Sequence, residues 1–419
     1  MLARNPVPAC WHHRDLAGRV GVNAINPSMR EHFRLSHVVA GFVSVLVGYA
    51  SSAVIVLQAA AAAGATAAQQ VSFLWVLGVG MGLATIALSL RYRAPVLAAW
   101  STSGAALLVT ALAGATLGEA VGAFLFSSAL LVLVGLLGWT DVILRYVPRS
   151  VAAAMLAGVL LRFCTGIFAL PGAGLLLALA MVAVYLLAKN RMPNYAVLAS
   201  VGVGVVGTMA TTGLDLAGVR FDLAGPVFVA PEFSPAVLVG AGLPLFLVTM
   251  SSQNLTGMAT LRAHGYNTPA SPLIATLGAT GLVLGAAGGF AYSVAAISAA
   301  VCMTDDAEPR PERRYLVTLW AGGFYVLAGL FAATVVALLA ALPQALVMAI
   351  TGVALLATLS NSLTVAVSQD AERDAAIVTF LCTASGMSLF GVGSAFWGLL
   401  FGVAVLQWRR RDGDSTAKG

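Results

Sequence analysis

The chain has 419 residues, of which 60% are hydrophobic and only 9% charged. A soluble domain carries about a quarter charged residues, so this chain lacks the surface it would need to dissolve. Its net charge of +6, pI of about 9.4 and mean hydropathy of +0.93 fit a polytopic membrane protein whose Lys and Arg collect in cytoplasmic loops. Soluble enzymes, nucleic-acid binders and disordered scaffolds are excluded.

Residues 1–30 mix Arg, His, Pro and Asn and lack the apolar core of a signal peptide. Residues 1–34 therefore read as a disordered cytoplasmic arm, with Met29 as a second candidate start. The four cysteines, Cys10, Cys164, Cys302 and Cys382, show no CxxC spacing. Three lie in apolar runs, where a free thiol behaves as a small hydrophobe, so neither a metal site nor a disulfide is indicated.

Apolar runs broken by charged or Gly/Pro stretches predict spans near 38–58, 71–90, 95–112, 120–138, 150–167, 172–188 and 195–213. A polar external loop, 214–234, follows. Further spans are predicted near 235–260, 271–287, 289–302, 315–341, 343–363, 375–390 and 394–408, with 409–419 as a solvated cytoplasmic tail. The fold class predicted is all-α, with about 14 transmembrane segments, seven in 35–213 and seven in 235–408. With both termini cytoplasmic, 20 of the 22 basic residues fall inside, Arg162 and Arg220 being the exceptions. A miscounted segment would invert every later loop, so the asymmetry supports number and orientation together.

Three stretches recur in order across the two halves. VGYASSAVIVLQAAAAAG pairs with VTMSSQNLTGMATLRAHG, AAWSTSGAALL with GFAYSVAAISAA, and VPRSVAAAMLAGVLL with LPQALVMAITGVALL. Seven segments per repeat is an odd number, so the halves are inverted in the membrane. That pattern marks secondary transporters, whose substrate site lies at the repeat interface near the midplane.

The third and tenth segments begin extended and aromatic, then turn into short Ser-, Gly- and Ala-rich helices. Non-helical backbone survives at membrane depth only where it lines a cavity or is buried in protein. Two half-helices meeting there aim their N-terminal N–H groups at one point, a site for an anion such as a carboxylate. The competing reading is close packing by small residues. Trp100 to Ser103, Tyr292 and Ser293 are the candidates. Gln253 and Asn254 add two adjacent amides inside a span, which mark either a functional site or interhelical hydrogen bonds. Arg162, near an outer span end, either snorkels to the headgroups or draws anions to the mouth. Glu119 reads as an interfacial charge.

These stretches, with PRSVAAAMLAGVLLRF and SSQNLTGMATLRAHGY, give the chain from Leu35 to Trp408 a resemblance to the benzoate–proton symporter (BenE) family of bacterial inner membranes. The family is similar in architecture to nucleobase and sulfate-type anion transporters, with a core domain and a gate domain. The resemblance implies proton-driven import of benzoate or a close aromatic carboxylate, with no cofactor, in an architecture that often dimerises. It implies a site built from Tyr49, Ser51, Ser52, Trp100, Ser101, Thr102, Ser252, Gln253, Asn254, Tyr292 and Ser293. Trp100 and Tyr292 would flank the ring, and the gate helices would begin at Pro148 and Pro343. No Asp, Glu, His or Lys lies near the centre of any predicted span, so the residues name no proton carrier; the substrate carboxylate is one alternative. Transport of another organic or inorganic anion, uncoupled or outward, is the second functional reading. No HExxH, GxSxG or Walker sequence supports an enzyme.

Overall fold

A computed structural model describes residues 34–139, 148–211, 213, 214, 216, 218–390 and 392–416. Residues 1–33 of the predicted arm, with Met29 and Cys10, and the loop residue Arg145 lie outside them. Eight helices among the described residues are long and apolar enough to cross a membrane, since about 20 residues rising 1.5 Å each span the ~30 Å hydrocarbon core. They are α1 (Leu35–Ala62), α2 (Ala67–Tyr92), α4 (Leu117–Leu137), α5 (Arg149–Ala169), α6 (Gly172–Arg191), α8 (Pro235–Ala263), α9 (Ala270–Ala287) and α13 (Gln344–Ala366). Shorter elements complete the order: β1 (Ala98–Trp100), α3 (Thr102–Ala111), α7 (Ala196–Thr211), β2 (Tyr292–Val294), α10 (Ile297–Cys302), α11 (Tyr315–Leu330), α12 (Ala332–Ala340), α14 (Arg373–Ala384), β3 (Ser388–Leu389), β4 (Val392–Gly393) and α15 (Ser394–Thr416).

Local sequence explains the helix ends. Thr66 with Gln69, and Thr116 with Glu119, form capping boxes at the heads of α2 and α4, satisfying N–H groups that a helix start leaves orphaned. Glu119 is thus a cap as well as a terminal charge. Pro148 and Pro343 sit immediately before α5 and α13, with φ of −57° and −58°, the angle their rings impose. Gly138 ends α4 in the left-handed region that side chains disfavour.

Three boundaries differ from expectation. The run 315–341 is not one straight helix: α11 and α12 meet at Phe331 with a 70° bend. The helix expected to reach 390 stops at Ala384, and β3 and β4 pair into a small ribbon. Helix α15 continues past 408 to Thr416, with Arg409 paired to Asp374 of α14.

The helices pack in two groups. In one, α1 to α4 lie with α8 to α11; in the other, α5 to α7 lie with α13 to α15. The first depends on backbone-to-backbone approaches. A Cβ at Gly82 of α2 would stand 2.5 Å from the carbonyl oxygen of Gly322 on α11, and one at Gly78 would stand 2.7 Å from Cα of Gly329. Small residues let these helices close up where no hydrophobic force separates protein from lipid.

The strands β1 and β2 pair antiparallel in the middle of this group, with Ala98 opposite Val294, Ala99 opposite Ser293 and Trp100 opposite Tyr292. The extended backbone finds its partners among side chains. Thr85 accepts the Ala98 N–H and Ser89 donates to the Val96 carbonyl, while Asn254 accepts the Val294 N–H. Ala291 enters the left-handed region (φ +45°), and its carbonyl receives the Ser101 N–H.

Gly82→Ala should therefore cost about 1–3 kcal/mol by overpacking. Gly323→Ala on α11, where a Cβ meets nothing within 4 Å, should cost nothing. Thermal unfolding of the two purified variants in detergent checks the pair.

Candidate functional site

Between the two helix groups lies a cavity of about 1090 Å³. Of the eleven residues proposed from sequence, Ser51, Ser52, Trp100, Thr102, Ser252, Gln253 and Asn254 line it; Tyr49, Ser101, Tyr292 and Ser293 do not. Arg162 does not line it either; its guanidinium lies 5.3 Å from the ring of Phe163.

Trp100 is the fixed aromatic wall. Its Nε1–H donates to Ser52 Oγ at 2.8 Å, and Ser52 Oγ donates to the Gly48 carbonyl at 3.0 Å. The Tyr49 ring meets Trp100 edge-on, with centroids 4.9 Å apart, the geometry that aromatic quadrupoles favour. Tyr49 supports the tryptophan rather than facing the cavity.

Tyr292 corrects an expectation. It stands opposite Trp100 in the strand register, yet its hydroxyl donates to the Val76 carbonyl of α2 at 2.7 Å and its side chain is fully buried. Gly80 and Gly281 leave room for that ring. A phenol buried in apolar surroundings needs one hydrogen-bond acceptor, and the α2 backbone supplies it. Tyr292 is therefore not a second wall for an aromatic ring. Ser293 donates to the Ala99 carbonyl, and Ser101 caps α3 by accepting the Gly104 N–H.

The two adjacent amides have different roles. Gln253 donates from Nε2 to Ser103 Oγ at 3.0 Å and lines the cavity half-buried, with its second amide hydrogen available. Asn254 is fully buried; Oδ1 takes the Val294 N–H at 3.0 Å and Nδ2 lies 3.6 Å from the Met250 sulfur. Both sit in or beside a π-helical turn of α8, Thr249–Asn254. Such bulges recur at functional sites because they re-aim side chains. Ser51 and Ser252 donate to their own helix carbonyls, Gly48 at 3.0 Å and Val248 at 2.6 Å. The first-turn N–H groups of α3, at Thr102 and Ser103, have no helix carbonyl to meet and carry the positive end of the helix dipole.

Sequence reasoning missed part of the lining. Arg149, the first residue of α5, and Arg262, in the last turn of α8, are the two charged residues in it, and no Asp or Glu lines it among the described residues. As loop-end arginines they read as orientation signals. Thr358, Asn361, Ser362 and Val365 of α13 also line the cavity; their i, i+3, i+4, i+7 spacing was the available signal.

The sequence profile of the benzoate membrane transport protein family, BenE, matches residues 31–408. The chain belongs to this family. It is 47% identical over 363 residues to the inner membrane protein YdcO of Escherichia coli, covering 87% of this chain and 93% of that one. It is 37% identical over 376 residues to the benzoate membrane transport protein of Acinetobacter baylyi, covering 90% and 95%. Among solved structures, the fold is shared with SLC26A9, at a TM-score of 0.57 and 16% identity over 91% of this chain and 67% of that one. It is shared equally with the transmembrane domain of the cyanobacterial bicarbonate transporter BicA, at 0.57 and 14% identity over 89% and 98%. This member of the BenE family is a membrane transport protein, not an enzyme.

The roles of the two amides are separable. Asn254→Ala leaves the buried Val294 N–H without a partner and should destabilise by about 1–3 kcal/mol. Gln253→Ala should cost under about 1 kcal/mol, since it removes one half-buried hydrogen bond. Melting temperatures of the two variants in detergent check this.

Proposed function

We propose that this protein imports benzoate, or a closely related aromatic carboxylate, together with protons by alternating access across a bacterial inner membrane. The observation carrying this reading is a cavity between two helix groups that combines a fixed indole, Trp100, with two arginines and no acidic side chain. An aromatic ring packs beside the indole edge, and its carboxylate takes the free Gln253 amide hydrogen and the first-turn N–H groups of α3. At about 1090 Å³, the space matches the upper end of ordinary ligand pockets. It therefore holds both the site beside Trp100 and Gln253 and the vestibule that leads to it from Arg149 and Arg262. Family membership and the name of the Acinetobacter relative support the substrate class, and that of the Escherichia relative supports the membrane.

Packing supports the two inverted repeats, 35–213 and 235–408. Counting α11 and α12 as one segment, a shift of seven turns the α2–α11 contact into α9–α4. The same shift turns α6–α7 into α14–α15, and α5–α14 into α13–α6. All of these contacts exist. The β1–β2 and α5–α13 pairs map onto themselves, as contacts on a pseudo-two-fold axis do.

The cavity runs to Arg149 and Arg262, the end the positive-inside pattern assigns to the cytoplasm. Toward the other end, Gln58 of α1 donates to Thr351 Oγ1 of α13 at 3.3 Å across the two groups. The arrangement is that of an inward-open state. One observation favours the second reading, an anion moved without a proton: no imidazole or carboxylate lines the cavity among the described residues.

Labelled benzoate uptake into proteoliposomes, with and without an inward proton gradient, tests the proposal. Accumulation above equilibrium with the gradient, and competition by aromatic rather than inorganic anions, is expected. Equilibration alone favours the second reading. The double variant Arg149→Gln, Arg262→Gln should raise KM about 3- to 10-fold at low salt and less at high salt, because exposed charges act through screened fields.

A further inference from the structure

A protein-borne proton carrier needs a titratable group held away from bulk water, and no His, Asp or Glu lines the cavity among the described residues. Among the described residues, the buried histidines, aspartates and glutamates are two: His37, with no exposed surface, and Glu308, 1% exposed. They bond to each other, His37 Nε2 to Glu308 Oε2 at 2.8 Å. His37 is the third residue of α1, and Glu308 lies in the loop between α10 and α11. The other carboxylate oxygen of Glu308 accepts the Arg310 backbone N–H at 3.1 Å and its Nε at 3.3 Å. Arg314, paired with Asp305, donates from Nε to the Glu308 carbonyl at 2.9 Å.

The carboxylate is surrounded by donors, so His37 Nε2 carries a hydrogen and donates it. In the neutral imidazole, Nδ1 is then a lone pair. That atom is buried and has no hydrogen-bond partner. We propose that the His37–Glu308 pair is the proton-binding site of the transport cycle, with the proton taking the lone pair of His37 Nδ1. The step forms one N–H bond, turns the imidazole into an imidazolium and takes the pair from a net charge of −1 to zero. The Nε2–H to Oε2 bond is unchanged. This inference rests on the proton-coupled reading above.

Helix α1 connects the pair to the substrate. His37, Ser44 and Ser51 recur every seven residues and so share a helix face. Ser44 donates to the Ser298 carbonyl of α10 at 2.7 Å, and Ser51 and Ser298 line the cavity. From His37 to Ser51 the axial rise is about 21 Å. Proton and substrate therefore communicate through the seating of α1 on α10 and the following loop, not by contact. The pair lies at the open end of the cavity: Tyr266, one turn beyond Arg262, donates to the Pro311 carbonyl in the same loop. The other titratable and charged groups at this end of the packed elements are Arg34 ahead of α1, Cys302 at the end of α10, Asp305, Asp306, Arg310, Glu312, Arg313 and Arg314 in the loop, Tyr315 at the head of α11, Arg91, Tyr92 and Arg93 at the end of α2, and Tyr266.

The test uses the full-length protein in proteoliposomes, measuring benzoate accumulation under an inward proton gradient and benzoate–benzoate exchange at equal pH. His37→Gln keeps a donor for Glu308 but cannot take the proton; Glu308→Gln removes the charge. Both should exchange within about threefold of wild type while losing at least about tenfold in accumulation, with a flattened pH profile of exchange. Three results would overturn the site. His37→Gln accumulates like wild type. Both variants lose exchange in step with accumulation, which marks a structural pair. Accumulation persists and only the pH profile flattens, which marks a regulatory one. Wild-type protein that exchanges without accumulating would instead overturn the proton-coupled reading itself.

Discussion

Every extended residue at membrane depth brings an N–H and a C=O that lipid cannot satisfy. Strands β1 and β2 answer part of this requirement by pairing with each other, and the rest falls to Thr85, Ser89 and Asn254. An unpaired backbone group in hydrocarbon costs several kcal/mol, so these side chains are fixed by necessity. Much else follows from that crossing. It sets where α3 and α10 begin, it seats Trp100 against Ser52 and Tyr49 at the cavity edge, and it holds the π-turn of α8 against β2.

The same constraint explains why the site holds few obvious chemical groups. Polar side chains here first serve the backbone. Tyr292 serves α2, Ser293 serves β1, Ser101 serves α3, and Asn254 serves β2. What is left along the cavity is the edge of the Trp100 indole, one amide hydrogen, a helix N-terminus and two arginines at the rim. That set favours an anion with an apolar body, and its charge lies in the field at the entrance rather than in a buried ion pair.

Charge that could be titrated is kept elsewhere. His37 and Glu308 lie at the start of α1 and in a loop that looks solvated in sequence, yet both are buried. Hydropathy windows place these residues at boundaries, and boundaries are where sequence says least about burial. Arg314 and the folded-over loop remove them from water, a tertiary effect with no local signature.

Periodicity and charge determined much of this protein on their own. Long apolar runs with Arg and Lys at alternate ends required a polytopic membrane protein. The recurrence of VGYASSAV near VTMSSQNL, and of AAWSTSG near GFAYSVA, pointed to an internal repeat and to the residues where extended backbone would cross. The family resemblance supplied the expectation of an aromatic carboxylate. Which way each side chain turns was decided by packing. Trp100 and Tyr292 are equivalent in sequence, but Gly80 and Gly281 open a slot for the phenol beside the Val76 carbonyl of α2, and the indole stays at the cavity edge. Gln253 and Asn254 are neighbours and both border the cavity, but the Gln253 amide reaches Ser103 while the Asn254 amide is taken by β2. Sequence fixes which groups are available; only the tertiary arrangement assigns each to backbone or ligand, because unmet hydrogen bonds are settled by whatever lies within 3 Å in space.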